Sequence, residues 1–143
     1  FYGATPEERR ASPDFARLID DAAFRRVSGL LARSVEGGAR VAVGGATDRA
    51  TRYIEPTVLT GVTPAMPIME EEIFGPVLPI LTVKNMAEAV AFVRGRDKPL
   101  AAYIFAKDDV AQSIVRQTTA GGTVIGNVLL HVANNHLPFG GVG

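Results

Sequence analysis

The sequence has no cysteine among its 143 residues. A disulfide framework, a thiolate zinc site and a thiol nucleophile are therefore excluded within it. No block of five or six like charges occurs, and fifteen basic residues balance fifteen acidic ones to a formal net charge of zero. This balance argues against nucleic-acid and membrane-surface partners, because both select a basic face. Any chemistry carried here must use oxygen, nitrogen or backbone groups.

Long apolar runs are also missing. None approaches the roughly 20 residues that cross a bilayer, and the N-terminus lacks the basic and then apolar pattern of a secretory signal. A cytoplasmic location is the default expectation. The sequence starts at Phe1 instead of Met and stops after Val142-Gly143. We therefore expect a piece of a longer protein.

The length and composition predict one folded segment over residues 1–143, because about 100 to 200 residues form an ordinary domain. A hydrophobic content of 47% supplies a core. Ser12-Pro13-Asp14 has the residue types of a helix start, so one or two helices are predicted over residues 13–35. Asn85 is predicted to cap a second helical stripe, and a third follows the acidic pair Asp108-Asp109.

Short β-branched or apolar runs predict the strands. They occupy residues 40–43, 53–59, 77–83, 100–106 and 123–125. The run 77–83 is nearly all apolar, which is typical of a strand covered on both faces. Because strands and helices alternate in the second half, the sequence predicts an α/β fold with a mainly parallel sheet flanked by helices.

Three acidic residues, Glu70, Glu71 and Glu72, run directly into the apolar stretch Ile73-Phe74 and a Gly-Pro turn. One interpretation is a solvated acidic turn. The other is a ligand site, since a carboxylate fixed beside an aromatic residue can accept two hydrogen bonds from a vicinal diol. Composition does not choose between the two.

The remaining candidates lie near the end of the chain. His131 and His136 stand five residues apart without any cysteine, a pattern that favours loop or pocket-rim positions over metal ligation. Phe139 precedes two glycines and is either a core plug at a tight turn or a ligand contact. A dinucleotide fingerprint needs G-x-G-x-x-G between a strand and a helix, and the sequence contains none.

Two stretches carry a family resemblance. MEEEIFGPV, at 69–77, resembles the E-E-I-F-G-P signature of NAD(P)-dependent aldehyde dehydrogenases, and HLPFGGVG, at 136–143, resembles the P-F-G-G segment that follows it in that superfamily. The stretches ATRYIEPTVLTGV and KPLAAYIFAKD are similar to the class 3, or fatty aldehyde dehydrogenase, branch. The resemblance covers the whole chain. It implies a three-layer α/β fold, namely the C-terminal portion of the aldehyde dehydrogenase catalytic domain.

The resemblance also implies roles for individual residues. Glu72 would bind the hydroxyls of the nicotinamide ribose of NAD or NADP, and Phe74 would pack near the nicotinamide. Phe139 would line the aldehyde pocket, and His131 would lie toward the substrate entrance. An apolar wall suits an alkyl or aryl aldehyde, since burial yields roughly 0.8 kcal/mol per CH₂. The full-length protein would be a homodimer.

In the family reaction, a cysteine thiolate attacks the aldehyde and a glutamate activates the water that hydrolyses the thioester. By the resemblance, the nucleophile region and the Rossmann domain both precede the part that matches Phe1. The chain is therefore expected to be a part of an enzyme that oxidises aldehydes to carboxylic acids, with no catalytic residue of its own and no activity alone. The alternative is a free-standing, non-catalytic protein-interaction module derived from the same fold.

Overall fold

The computed structural model describes residues 2–143. The chain forms two compact units, unit 1 up to Thr82 and unit 2 from Val83 to Gly143. The helices are α1 (Pro6–Ala11) and α2 (Asp21–Glu36) in unit 1, and α3 (Met86–Arg94) and α4 (Asp108–Gln117) in unit 2. Among the described residues, no helix is long and apolar enough to cross a membrane.

Unit 1 is built on a three-stranded sheet. Its strands, in spatial order, are β1 (Arg40–Val43), β4 (Thr57–Thr60) and β5 (Val77–Pro79). Strand β4 runs antiparallel to β1 and parallel to β5. Strands β2 (Thr47–Asp48) and β3 (Tyr53–Ile54) form a separate antiparallel pair. The strand predicted over residues 53–59 is therefore divided at Pro56, which has no N–H to donate to a strand ladder.

Helix α2 supplies one side of the core of unit 1. It begins where the Asp20 side chain accepts a hydrogen bond of 2.7 Å from the backbone N–H of Ala23. Residues three and four apart lie on one face of a helix, and in α2 this face is buried. The core around α2 includes Phe24, Val27, Leu30, Leu31, Ile54, Leu59, Ile68 and Val77.

The predicted helix start at Ser12-Pro13-Asp14 is wrong. Ser12 instead ends α1, which begins with a complete capping box: the Thr5 side chain accepts from the backbone of Glu8, and the Glu8 side chain accepts from the backbone of Thr5. The start at Thr5 has the same residue types as the predicted start at Ser12, and it gains an additional hydrogen bond from the backbone of Thr5 to the side chain of Glu8. Residues 12–20 are therefore not helical, although they lie in or next to the range 13–35 predicted as helix, and Ile19 is 84% exposed.

The strand predicted over residues 77–83 is also shorter than expected. Only Val77–Pro79 pairs with β4, and Leu78 is 59% exposed, so the expectation of burial on both faces is wrong here. A run of apolar residues has the same sequence pattern whether one or both faces of the strand are covered. The covering comes from residues distant in the sequence, which the run itself does not specify.

Unit 2 is an α/β unit. Strands β6 (Ala101–Ile104) and β7 (Gly122–Ile125) are parallel, and α4 lies between them in the chain. The predicted cap is confirmed, because the Asn85 side chain accepts a hydrogen bond of 3.0 Å from the backbone N–H of Glu88 at the start of α3. Helices and parallel strand pairs in both units confirm the predicted α/β class.

Tyr53 offers a test of the unit 1 core. Its side chain is buried, and its hydroxyl has no hydrogen-bond partner among residues 2–143. An unmade buried hydrogen bond costs roughly 1–3 kcal/mol. Tyr53→Phe is therefore expected to leave the free energy of unfolding at neutral pH unchanged or to raise it by about 1 kcal/mol. Urea unfolding measures this, and a loss of stability well beyond that range would show that the hydroxyl has a partner.

The same residue predicts an alkaline loss of stability. Burial, and secondarily the nearby Glu55 carboxylate, raise the pKa of Tyr53 above its ordinary value of 10.0. In the unfolded chain the phenol loses its proton first, so this contribution is complete below about pH 10 and is lost as the pH rises toward the folded-state pKa. Tyr53→Phe should remove that part of the pH dependence, which unfolding experiments on either side of pH 10 would reveal.

Candidate functional site

The acidic segment occupies one loop of unit 1. It follows a 3₁₀ turn at Pro67–Met69 and leads into β5. Glu70, Glu71 and Glu72 are all exposed. Ile73 packs against the core, so the loop is fixed to unit 1 by its apolar residue while its carboxylates remain on the surface.

Arg26 on α2 binds the backbone of this loop. Its Nη1 donates a hydrogen bond of 3.0 Å to the carbonyl oxygen of Glu72, and its Nη2 donates one of 2.7 Å to the carbonyl oxygen of Ile73. Nη1 also lies 3.5 Å from Oε2 of Glu71. Glu71 is therefore the salt-bridged neighbour in the acidic run. The carboxylate of Glu72 has no hydrogen-bond or ion-pair partner among the described residues.

The backbone after Glu72 takes an uncommon path. Phe74 has a φ of 43°, in the left-handed region that non-glycine residues seldom adopt. Phe74 is 74% exposed. The next residue, Gly75, is packed so closely on α2 that an added Cβ would lie 2.8 Å from Cγ1 of Val27. The backbone N–H of Thr57 donates a 2.8 Å hydrogen bond to the carbonyl of Pro76. Contacts with α2 and β4 thus fix a turn that leaves the aromatic ring outside the core.

This arrangement presents two groups suited to a nucleoside. A carboxylate without a protein partner can accept two hydrogen bonds from adjacent hydroxyl groups of a sugar. An exposed aromatic ring two residues away offers a flat apolar face to a planar ligand. The residues present therefore fit the nicotinamide and ribose of a dinucleotide, the ligand predicted for Glu72 and Phe74.

The other two predicted site residues lie in unit 2. His131 and Phe139 both line a cavity of about 760 Å³, together with Tyr103, Leu129, Val132 and Leu137. The ring centroids of His131 and Tyr103 are 5.9 Å apart. Phe139 is 88% exposed. The side chains named here make much of the wall apolar, which suits an apolar ligand.

His131 is held by close packing. A Cβ at Gly122 of β7 would overlap its imidazole, so the absence of a side chain there makes room for the ring. The Nδ1 atom of His131 is buried and has no hydrogen-bond partner within residues 2–143. In the same part of the chain, no group of three or more His, Cys, Asp or Glu side chains could hold a metal ion.

The structure thus brings Glu72 and Phe74 together in one loop and His131 and Phe139 around one cavity. Their roles toward cofactor and substrate stay predictions. Arg26 was missed in the sequence because it lies 46 positions before Glu72. A single arginine on a helix carries no local signal of a contact over that separation.

Comparison with known families matches residues 5–143 to the aldehyde dehydrogenase family. Among similar relatives, the family 3 member A2 aldehyde dehydrogenase of Rattus norvegicus is 47% identical over 144 aligned positions, and the dimeric NADP-preferring aldehyde dehydrogenase of Bos taurus is 45% identical over 144. Both alignments cover the whole of this chain. They cover 28% of the rat protein and 57% of the bovine one, so the chain spans less than two thirds of either relative.

A solved structure shows the same fold. The substrate-bound state of Staphylococcus aureus AldH superposes with a TM-score of 0.88 and 41% sequence identity, over 97% of this chain and 29% of that one. This likeness confirms the predicted fold, and the family 3 relatives confirm the predicted resemblance to the class 3 branch. The chain belongs to the aldehyde dehydrogenase family.

Proposed function

We propose that the chain forms one part of the active site of an NAD(P)-dependent aldehyde dehydrogenase, which oxidises an aldehyde to a carboxylic acid. One observation carries the proposal: the carboxylate of Glu72 has no partner among the described residues and lies two positions from the exposed Phe74, on a loop whose backbone Arg26 binds. Membership of the family supports the same function.

Glu72 and Phe74 would hold the cofactor. The Glu72 carboxylate would accept hydrogen bonds from the ribose hydroxyls of the cofactor, and the Phe74 ring would offer a flat apolar face to its nicotinamide. A bound NAD or NADP supplies the acceptor for a hydride from the substrate carbon. The similar bovine protein is NADP-preferring by name, which supports NADP as well as NAD as the cofactor.

The cavity of unit 2 would receive the aldehyde. Both Phe139 and His131 line this cavity; Phe139 would contact the aldehyde, and His131 would lie toward the substrate entrance. The apolar walls favour an alkyl or aryl aldehyde over a highly polar one, because each buried CH₂ contributes roughly 0.8 kcal/mol. A fatty aldehyde meets this requirement. For the full-length protein we further propose a homodimer in the cytoplasm.

The nucleophile must come from elsewhere, since the chain contains no cysteine. The 143-residue chain alone is therefore expected to produce no NADH or NADPH from an aldehyde. The product of the complete reading frame, extended upstream of Phe1, is expected to do so. Both samples should be assayed side by side with NAD and with NADP.

Three outcomes separate the possibilities. Activity of the longer product alone supports a site that residues of this chain complete. Activity of the 143-residue chain would contradict the requirement for an external nucleophile. If neither sample is active, the dehydrogenase proposal fails, and the alternative of a protein-interaction module on the same fold takes its place.

A further inference from the structure

We propose that Arg26 is a positioning residue for the cofactor site. By binding two neighbouring carbonyl groups, it sets the direction in which the Glu72 carboxylate and the Phe74 ring leave the loop. The inference rests on the proposed function of Glu72 and Phe74, and it extends that function to a residue on a different element of the fold.

The hydrogen bonds fix two successive peptide planes. The carbonyl of Glu72 belongs to the peptide bond before Ile73, and the carbonyl of Ile73 belongs to the peptide bond before Phe74. Arg26 donates to the first at 3.0 Å and to the second at 2.7 Å. Because a guanidinium group is planar and rigid, its two nitrogens hold the two oxygens in one relative orientation. The backbone between the two proposed cofactor residues is therefore fixed at both of its peptide bonds.

The loop needs such support for two reasons. Phe74 has a φ of 43°, and a left-handed conformation at a non-glycine residue persists only where the surrounding structure enforces it. In addition, three consecutive carboxylates repel one another. The Arg26 guanidinium offsets this repulsion through its ion pair with Glu71 and leaves the carboxylate of Glu72 without a partner.

Arg26 is itself well anchored. The adjacent residue on α2, Val27, is fully buried in the core of unit 1 and contacts Gly75 of the same loop. The side chain of Arg26 is 32% exposed, so most of it is shielded from water. Because Arg26 is fixed in this way, its hydrogen bonds hold the loop in one position relative to α2.

Arg25 provides a matched control on the same helix. Its side chain is 58% exposed and forms only an ion pair of 3.7 Å with Asp21, one turn away. Exposed pairs of this kind contribute little to stability. Arg25→Gln removes the same charge from α2 as Arg26→Gln and does not touch the loop.

The test uses the product of the complete reading frame. We expect Arg26→Gln to raise the KM for the dinucleotide about tenfold, since small displacements of a positioning group have effects of this order or larger. The KM for the aldehyde should change less than about twofold, and Arg25→Gln should leave both values unchanged. Arg26→Lys keeps the charge without the planar fork, so its dinucleotide KM should lie between those of the unsubstituted protein and Arg26→Gln.

A double substitution shows whether Arg26 acts through Glu72. If it does, Arg26→Gln combined with Glu72→Gln should raise the dinucleotide KM by clearly less than the product of the two single increases, because effects carried by a shared interaction do not add. If the increase in dinucleotide KM in the double variant equals the product of the increases in the two single variants, the inference is overturned. So would an unchanged dinucleotide KM in Arg26→Gln, or in Arg26→Lys if the glutamine variant does not fold. If Glu72→Gln itself leaves dinucleotide use unchanged, the proposed role of Glu72 fails, and this inference fails with it; the dehydrogenase function is tested separately by the activity of the unsubstituted protein.

Discussion

Replacing Glu72 with glutamine is expected to lower kcat/KM for the dinucleotide about 10- to 100-fold in the product of the complete reading frame. Hydrogen bonds to a charged group contribute about 1.5–3 kcal/mol, and each 1.4 kcal/mol corresponds to about a factor of ten. Glutamine keeps the size of the side chain and one oxygen acceptor, so the loss isolates the charge and the second acceptor of the carboxylate.

Glu70 supplies the control for this experiment. It lies two positions earlier in the same acidic run and is also exposed. Glu70→Gln makes the same change of charge close to the site. It should alter kcat/KM less than about twofold, because Glu70 is assigned no contact with the dinucleotide and exposed charges interact only weakly through water. Steady-state kinetics at several dinucleotide concentrations measure both variants. Equal losses in the two variants would show that the loop acts through its total charge and not through one ligand.

The largest expected effect on stability is that of Gly44→Ala. Gly44 has a φ of 73°, and a Cβ there would overlap the carbonyl oxygen of Pro56. A left-handed alanine costs roughly 1–2 kcal/mol, and an overlap in a packed region costs about 1–3 kcal/mol more. We expect the free energy of unfolding to fall by about 2–5 kcal/mol, the sum of the two contributions. The atom in the way belongs to the backbone before β4, so it cannot move without disturbing the sheet.

Gly61→Ala is the matched control for this substitution. Gly61 has a similar φ of 66° in the same unit, but the nearest atom to its added Cβ is the carbonyl oxygen of Gly38 at 3.8 Å, an ordinary contact. Only the conformational cost, about 1–2 kcal/mol, applies there. Urea unfolding followed by circular dichroism gives the difference between the two variants. A difference near zero would mean that the turn at Gly44 relaxes to accept a side chain.

The sequence predicted the elements of unit 2 better than those of unit 1. Asn85 and the apolar stripe after it lie within ten residues of one another, and the cap and helix α3 both form as predicted. In unit 1 two capping signals compete within a few residues. The reciprocal pair Thr5 and Glu8 starts α1, which leaves Ser12 at the end of that helix. The T-x-x-E spacing of Thr5 and Glu8 is itself a local capping-box signal, and no Glu or Gln follows Ser12 at the same spacing.

For the candidate site too, some features follow from the sequence and others from the tertiary structure. The sequence by itself determined which residues are candidates, because the motifs around Glu72 and Phe139 are contiguous and carry their family resemblance in order. It also excluded a thiol nucleophile, since no cysteine is present. Only the tertiary structure decided that Arg26 binds the loop, that Glu71 and not Glu72 forms the ion pair, and that Gly122 makes room for His131. These contacts join residues that are distant in the chain. They form only when the elements pack together, so no local sequence pattern predicts them.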